Sequence, residues 1–209
     1  MSRAMAPERI VYVVDDDPAI RRSLERLLAT ADFRVMSYAT PTEFLDAAAG
    51  LLAGCVVLDL RMPEMNGLTV QARMLAMRPD LPIIVVTAQG DVQSAVRAMK
   101  AGAVDFIEKP YSDDSLIASI ESAIAGSGRS GQTDERAAAA ALVRTLSRRE
   151  RQVLEALMAG RSNKVIAYDL DISVRTVEVH RARMMIRLGV RQLAEAVRIA
   201  VLAKLAPES

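Results

Sequence analysis

Short apolar runs alternate with longer amphipathic patterns over the first 125 residues of the chain. The runs rich in Val and Ile predict strands, and they fall at residues 9–14, 33–38, 55–58, 83–86 and 104–107. Apolar residues at helical spacing lie between the runs, including one pattern that follows the cap candidate Asp91 and ends before Gly102. Because strand and helix alternate, the pattern predicts a parallel sheet covered by helices on both faces.

From residue 145 onward the apolar residues follow helical spacing only. Ser147 and Glu150 have the spacing of a capping box, which predicts the start of a first helix, and Gly160 predicts its end. Three more helices are predicted from the same kind of pattern, at residues 162–170, 173–188 and 192–205. This part of the chain is therefore predicted to be a small all-α domain of four helices.

A segment of different composition separates the two regions. Residues 126–144 begin with Gly, Ser and polar residues and continue with an alanine run that favours helix, which predicts a linker of undecided stiffness. A chain of 209 residues is long enough for two small domains. We therefore predict an α/β domain at residues 1–125, a linker at 126–144 and a helical domain at 145–209.

The net charge of +1 hides opposite charges in the two predicted domains. Residues 1–125 carry 12 Lys or Arg and 17 Asp or Glu, a net charge of −5, whereas residues 145–205 carry 12 and 6, a net charge of +6. A polyanion such as nucleic acid is the natural partner of the basic region. We find no membrane-spanning run, no export signal and only one cysteine, Cys55, so we expect a cytoplasmic protein without an internal disulfide.

Charged and hydroxyl side chains stand at the ends of the predicted strands. Asp59 directly follows an apolar run, and the equivalent positions elsewhere hold Asp15, Asp16, Thr87 and Lys109. Each alone could be an ordinary strand-end or surface residue. Ligands of open parallel sheets bind at the carboxyl ends of the strands, however, so the five together favour a functional site. Clustered carboxylates favour a bound hard cation such as Mg²⁺, and a carboxylate in such a site can accept a phosphoryl group.

Residues 8–125 resemble the receiver domain of two-component response regulators. The resemblance rests on the Asp15–Asp16 pair, on Asp59 followed by Leu, Arg, Met and Pro, and on the steps Thr87–Ala88 and Lys109–Pro110. It implies a doubly wound, flavodoxin-like sheet of five parallel strands. It also implies that Asp59 accepts phosphate from a sensor histidine kinase.

The same resemblance implies roles for the other residues of the cluster. It assigns Mg²⁺ to the carboxylates of Asp16 and Asp59 and the backbone carbonyl of Arg61, with Asp15 acting through water. Thr87 and Lys109 would bind the phosphoryl oxygens, and the Lys109–Pro110 peptide would be cis. Thr87 and the aromatic Phe106 would form a switch. Many receivers have Tyr at the position of Phe106, and plain core packing is the alternative role of this side chain.

A second group of candidate residues lies on the predicted helix at 173–188. At about 100° per residue, Val174, Val177, Met184 and Leu188 share one face, which should meet the neighbouring helices. The other side mixes small apolar and polar residues, namely Arg175, Thr176, Glu178, Val179, Ala182 and Arg183. This mixture suits a helix in the major groove of DNA, although a solvated surface explains it equally well.

Residues from Leu146 to Arg181 resemble the helix-turn-helix of LuxR-type regulators. The matching pieces are Leu146-Ser147-x-Arg-Glu, Ser162-Asn-Lys-x-Ile-Ala and the run from Arg175 to Arg181. The resemblance implies that the helix at 173–188 reads promoter DNA and that Asn163, Lys164 and His180 contact phosphates. A structural role for His180 at the border of the buried face stays open.

One such module buries too little surface for tight specific binding, so two copies should act together. The run at 196–203 contains only Arg198 as a polar residue, and this wide apolar coat predicts a homodimer contact through the last helix. A second contact is expected between phosphorylated receivers, and RNA polymerase is a further expected partner. The run Gly90–Pro110 resembles the FixJ type of response regulator, which implies an oxygen-sensing kinase and the activation of nitrogen-fixation genes under low oxygen.

Two other functions compete with this one. A haloacid-dehalogenase-like phosphatase would use Asp15 as nucleophile with Asp17, Thr87 and Lys109 in support, but a further acidic pair on a later strand and a cap insertion are not recognisable. A flavodoxin-like FMN protein is disfavoured because the acidic run from Asp15 would repel the cofactor phosphate. The sequence thus predicts a DNA-binding response regulator and not an enzyme.

Overall fold

The structure, a computed structural model, describes residues 9–88, 92–126, 131–190 and 193–205. Its strands are β1 (Ile10–Val14), β2 (Arg34–Tyr38), β3 (Gly54–Asp59), β4 (Ile83–Thr87) and β5 (Asp105–Glu108). They form one parallel sheet in the order β2-β1-β3-β4-β5. The chain therefore winds in both directions from β1, and the predicted fold of the first domain is confirmed.

Helices connect and follow the strands. The first five are α1 (Pro18–Thr30), α2 (Pro41–Ala47), α3 (Gly67–Met77), α4 (Val92–Lys100) and α5 (Asp113–Gly126), with a 3-10 turn at Ala48–Gly50. The later ones are α6 (Gly131–Arg144), α7 (Arg148–Met158), α8 (Asn163–Asp169), α9 (Val174–Leu188) and α10 (Leu193–Leu202). The predicted cap Asp91 of α4 lies outside the described residues. In the part of the chain that is described, none of the helices has the length and apolarity needed to cross a membrane.

The strand residues form the centre of the α/β core. Every residue of β1 and β4 is buried, as expected for strands covered on both faces. The register pairs Val14 with Leu58 and Asp59 with Val86, so the polar residues that end or follow these strands come to one edge. Cys55 is fully buried in the same layer, and burial raises the pKa of its thiol to about 12, so the thiol is protonated at neutral pH.

A buried tyrosine ties β1 to the loop before β3. Tyr12 is fully buried, and its hydroxyl donates to the carbonyl of Leu52 at 3.1 Å and accepts from the amide of Leu52 at 2.9 Å. One hydroxyl thus satisfies both backbone groups of one residue. Its loss would leave both groups without this partner inside the fold.

We therefore expect Tyr12→Phe to lower the free energy of unfolding by about 1 kcal/mol or somewhat more, because two partly buried backbone groups lose their partner. Urea unfolding of the full chain, followed by circular dichroism, measures the change. Tyr38→Phe is the matched control: the ring remains against Phe44, with centroids 5.3 Å apart, and the Tyr38 hydroxyl makes no hydrogen bond within the described residues. Equal stability of the two variants would contradict the role of the Tyr12 hydroxyl.

Contacts between Cα atoms divide the described residues into two compact units. The first comprises residues within 1–89 and 101–128, and the second comprises residues within 90–100 and 129–209. Helix α4 therefore belongs to the second unit, where it packs against α7 and α10, and Gln93 Nε2 donates to the carbonyl of Gly160 at 2.9 Å. The sequence did not predict this grouping, since the predicted boundary at residue 125 follows the order of the chain.

The predicted linker is largely helical and takes part in the second core. Helix α6 covers most of it, and Val143 at the end of α6 is buried with residues of α7, α9 and α10. The predicted inward residues of α9 are confirmed for Val177, Met184 and Leu188, which are at most 3% exposed. The prediction for Val174 is wrong, because this residue is 38% exposed: it lies in the first turn of α9, before the helix reaches the core.

Candidate functional site

The parallel sheet brings the polar strand-end residues to one place. Asp15 follows β1, Asp59 ends β3, Thr87 ends β4 and Lys109 follows β5. Lys109 Nζ lies 2.9 Å from Asp15 Oδ2 and 3.3 Å from Asp59 Oδ1. Asp15, Asp59 and Thr87 are 4%, 8% and 0% exposed, whereas the side chain of Asp16 is exposed. The structure thus places one ammonium group between two nearly buried carboxylates.

Backbone groups hold the two buried carboxylates. The second oxygen of Asp59 accepts from the amide of Arg61 at 2.8 Å, and Asp15 Oδ1 accepts from the amide of Asp17 at 2.9 Å. Asp17 caps α1, since its carboxylate accepts from the amide of Ala19 at 2.7 Å. These bonds leave the carboxylates few alternative orientations, which suits groups that must face a common ligand.

Two residues that shape this edge were not predicted from the sequence. Arg21 Nη1 donates to the backbone carbonyls of Asp15 and Asp16 at 2.7 and 2.9 Å, so α1 fixes the loop after β1. Gly67 packs so closely after β3 that a Cβ there would lie 2.3 Å from the carbonyl oxygen of Asp59. Neither has a sequence signal, because an arginine one turn into a helix and a glycine after an Asn cap are both common.

The surroundings of the cluster shift the pKa values of Asp59 and Lys109 for different reasons. Burial raises the pKa of the Asp59 carboxyl, against the opposing effects of Lys109 and of the Arg61 amide. Burial alone would lower the pKa of Lys109, but the hydrogen bond to Asp15 and the two carboxylate charges raise it overall. Lys109 therefore stays cationic and offsets only one of the two buried negative charges.

The donor set fits a hard divalent cation. In the described part of the chain, no three Asp, Glu, His or Cys side chains converge as a ready metal-binding group. The Lys109 ammonium pairs with Asp15 and Asp59 instead. The groups at this edge are nevertheless carboxylate and carbonyl oxygens, the ligands that Mg²⁺ prefers. Two negative charges remain when Asp16 is counted with the pair and Lys109 is subtracted, which a divalent cation would neutralise.

The predicted switch residues lie in the sheet next to this edge. Phe106 is 3% exposed and pairs in register with Val85, and Thr87 pairs with Glu108. The amide of Lys109 donates to the carbonyl of Thr87 at 2.8 Å, and the Lys109–Pro110 peptide is cis, as the resemblance implied. Thr87 and Lys109 are therefore linked through the backbone.

The predicted reading face of α9 is accessible. Its exposed members are Arg175, Glu178, Val179, Ala182 and Arg183, and Thr176 is half-buried. On the preceding helix Lys164 is exposed. The side-chain oxygen of Asn163 accepts from Arg181 Nη1 at 3.0 Å, which leaves the amide nitrogen of Asn163 as a donor. The structure thus keeps these residues on the outside of the helical domain, where DNA could reach them.

His180 takes an intermediate position. The residue is half-buried, and its Nδ1 atom is buried without a hydrogen-bond partner among the described residues. A phosphate contact would therefore have to use the other ring nitrogen, and the structural role stays open beside it.

A buried carboxylate anchors α9 to the start of α7. Glu150 is 2% exposed, and its Oε2 accepts from the amide of Ser147 at 2.8 Å, which completes the predicted capping box. The same oxygen lies 3.3 Å from Arg187 Nε, and Arg187 Nη1 donates to the carbonyl of Thr145 at 2.9 Å. The role of Arg187 was not predicted, because the contact joins helices far apart in the sequence. Burial raises the pKa of Glu150, but the Ser147 hydrogen bonds and the charge of Arg187 outweigh it and lower the pKa overall.

We expect Glu150 to make the stability of the helical domain depend on pH. A carboxyl whose pKa is lowered in the folded chain stabilises the fold fully at pH values above its unfolded pKa of about 4.3. This stabilisation is lost as the pH falls through the folded pKa. Glu150→Gln can keep the bond to the Ser147 amide, but it should lower the free energy of unfolding at pH 7 by roughly 1 kcal/mol and flatten the acid dependence. Urea unfolding between pH 3 and 7 measures the free energy of unfolding at pH 7 and its dependence on pH. Glu178→Gln, on the exposed face of α9, is the control, and an unaltered acid dependence in Glu150→Gln would refute the assignment.

Two protein families match separate parts of the chain. Residues 11–121 match the response regulator receiver domain, and residues 144–200 match the luxR family of bacterial regulatory proteins. The chain is 50% identical over 192 residues to the transcriptional regulatory protein FixJ of Bradyrhizobium diazoefficiens, an alignment that covers 91% of this chain and 94% of that protein. The chain belongs to the FixJ-type response regulators.

Other FixJ-type proteins extend the match. The FixJ protein of Azorhizobium caulinodans is 45% identical over 203 residues, covering 96% of each chain. The crystal structure of full-length FixJ from B. japonicum has 48% identity and a TM-score of 0.57, covering 96% of this chain and 99% of that one. The predictions of a receiver, a LuxR-type domain and a phosphorylation-dependent transcription regulator are confirmed.

Family membership also distinguishes between the regulator and the phosphatase alternative. The relatives are DNA-binding transcriptional regulators and not catalytic enzymes, so the phosphatase alternative with Asp15 as nucleophile has no support. The receiver family uses Mg²⁺ for phosphorylation, which agrees with the all-oxygen donor set. A receiver implies a histidine kinase as partner, and a LuxR-type domain implies DNA.

Proposed function

We propose that Asp59 of this FixJ-type regulator accepts the phosphoryl group of a sensor histidine kinase and that the modification controls DNA binding by α9. The observation that carries the proposal is the placement of Asp59 at the carboxyl end of β3. Its carboxylate is held by the Arg61 amide and lies 3.3 Å from the Lys109 ammonium. Asp15 supports the same site through its ion pair with Lys109, whereas Asp17 is exposed and caps α1.

The chemical step is a phosphoryl transfer between a phosphohistidine and a carboxylate. An oxygen of Asp59 forms the new bond to phosphorus while the bond from phosphorus to the kinase imidazole breaks, and the imidazole leaves with the electron pair. Asp16, Asp59 and the carbonyl of Arg61, with Asp15 acting through water, would hold Mg²⁺, and the bound ion would supply neutralisation of the charge on the phosphoryl oxygens. The Lys109 ammonium pairs with an oxygen of the phosphoryl group bound to Asp59, and the Thr87 hydroxyl donates a hydrogen bond to a second phosphoryl oxygen.

The packing of α4 supports a route from this site to the DNA-binding helices. Thr87 ends β4, and α4 is the next helix in the chain. In the second unit α4 packs against α10, whose Ala196, Val197 and Ala200 are fully buried. We infer that a shift of Thr87 toward the phosphoryl group is transmitted along the chain to α4 and loosens this packing. Moving the ratio of the loosened to the packed arrangement of α4 from 1:99 to 99:1 would need about 5.5 kcal/mol of differential stabilisation.

The same packing supports the predicted homodimer. The apolar coat of α10 is covered in part by α4, so α4 and the α10 of a second copy would compete for one face. Phosphorylation would then favour the dimer on promoter DNA by releasing α10, with RNA polymerase as the later partner. We place this activity in the cytoplasm, where promoter DNA is found. Activation of nitrogen-fixation genes under low oxygen stays a prediction supported by the similarity to proteins named FixJ.

A four-arm binding experiment tests the proposal. Duplexes are first selected from a random library by the chain treated with acetyl phosphate and Mg²⁺. Gel-shift titration then compares the unaltered chain and Asp59→Asn, each with and without acetyl phosphate. We expect the unaltered chain to gain about tenfold or more in affinity on treatment, since 1.4 kcal/mol of released energy suffices, and Asp59→Asn to gain nothing. Equal affinity in all four arms would refute control by Asp59 while leaving DNA binding intact.

A further inference from the structure

An apolar stripe runs along the exposed side of α9. It consists of Val179, Ala182 and Ile186, spaced by three and four residues, so all three lie on one side of the helix. Val179 is 41% exposed and Ile186 is 78% exposed, while Ala182 is also exposed. Ile186 was not among the predicted DNA-binding residues, because it stands near the end of the helix.

The surroundings of the stripe are basic. Arg175 precedes Val179 by one turn on the same side, and Arg183 lies beside the stripe; both side chains are exposed. Arg187 follows Ile186 and is half-exposed, but it pairs with Glu150. Glu178, next to Val179, adds one exposed negative charge, so Arg175 and Arg183 leave this side with a net positive charge. Removing a large apolar side chain such as Ile186 from water is favourable, so a partner that covers it gains free energy. The positive charge around it matches a polyanion. The occupant that fits both features is double-stranded DNA.

We propose that Ile186 extends the reading face of α9 and that the apolar stripe recognises thymine methyl groups. This inference rests on the proposed role of α9 in reading DNA. The thymine C5-methyl group is the apolar group that base edges present in the major groove. From Val179 to Ile186 the helix advances about 10 Å at 1.5 Å per residue, which matches about three base steps of 3.4 Å. The half-site should therefore contain thymines under the stripe, next to the base pair read by Arg175.

Replacement of thymine by uracil tests the inference, because uracil lacks only the methyl group. The full chain, treated with acetyl phosphate and Mg²⁺, is titrated with a selected duplex in which each thymine is replaced in turn. We expect the unaltered chain to lose about threefold to tenfold in affinity at the thymines under the stripe, the value of one buried methyl group. Ile186→Ala should bind the thymine duplex more weakly by a similar factor and should no longer distinguish thymine from uracil at one of these positions.

Matched variants separate the possible outcomes. Leu52→Ala also removes an exposed leucine-sized side chain, 59% exposed in the first unit, and should keep the full discrimination. If Ile186→Ala binds every duplex like the unaltered chain, Ile186 does not read DNA, even if its loss lowers transcription through a protein contact. If the unaltered chain selects no duplex, or if Arg175→Ala binds as tightly as the unaltered chain, the role of α9 itself is wrong and this inference falls with it.

Discussion

Asp59→Asn takes up no phosphoryl group under conditions in which the unaltered chain takes up one; this is the largest effect that we expect. After treatment with acetyl phosphate and Mg²⁺, intact-protein mass spectrometry should show a gain of about 80 Da in the unaltered chain and no gain in the variant. The amide oxygen of Asn can still accept from the Arg61 amide, which Asp59 does at 2.8 Å, so the loop should keep its shape. An amide is not a carboxylate nucleophile, and the reaction therefore stops.

Asp17→Asn is the matched control for this experiment. Asp17 is exposed and caps α1 through the amide of Ala19 at 2.7 Å, and Asn caps a helix about as well as Asp. This variant should gain the same mass as the unaltered chain. A mass gain that persists in Asp59→Asn would contradict the assignment, and peptide mapping would then show whether Asp15 carries the group.

The sequence predicted the phosphoacceptor cluster because one topological rule brings its members together. Asp15, Asp59, Thr87 and Lys109 each end or follow a strand, and parallel strands present their carboxyl ends at one edge. Their placement therefore required only the positions of the strands. The distances required coordinates: nothing in the spacing shows that Lys109 lies nearer to Asp15 than to Asp59.

The features that the sequence did not predict depend on contacts between distant elements. Arg21 fixes the loop after β1 through backbone carbonyls, and Arg187 reaches Glu150 from another helix. Helix α4 lies in the first domain by chain order but packs with the C-terminal helices. Its buried residues Ala95, Val96, Ala98 and Met99 are all apolar, and apolarity alone does not show which surface covers a helix.

At the ends of α9 the hydrophobic pattern predicts burial less well than in the middle of the helix. Periodicity placed Val174 with Val177 on the inward face, and it was right for Val177 and wrong for Val174. Val174 has the angle around the helix axis that the pattern requires, but it does not take part in the buried cluster of the helical domain. The same reasoning applies to Ile186 at the other end, where the exposed side of the helix continues.

Arg175→Ala and Lys164→Ala should weaken DNA binding in different ways, because the first residue is proposed to read a base and the second a phosphate. Both side chains are exposed, so neither change should unfold the domain. A bidentate arginine contact is worth about 1–3 kcal/mol of discrimination, or roughly 5- to 150-fold in affinity. Arg175→Ala should lose this factor on the selected duplex and little on random DNA. Lys164→Ala should weaken both about equally and reduce the slope of log affinity against log salt by about 1.

Fluorescence anisotropy of the acetyl-phosphate-treated chain, on selected and random duplexes at four salt concentrations, separates the two effects. Glu178→Gln serves as the third variant, since it removes a negative charge from the same exposed side of α9 and should strengthen binding to random DNA slightly by electrostatics. If Arg175→Ala lost affinity equally on both duplexes and lowered the salt slope, Arg175 would be a phosphate contact. The base-reading part of α9 would then have to begin at Glu178 or Val179, one turn further along the helix.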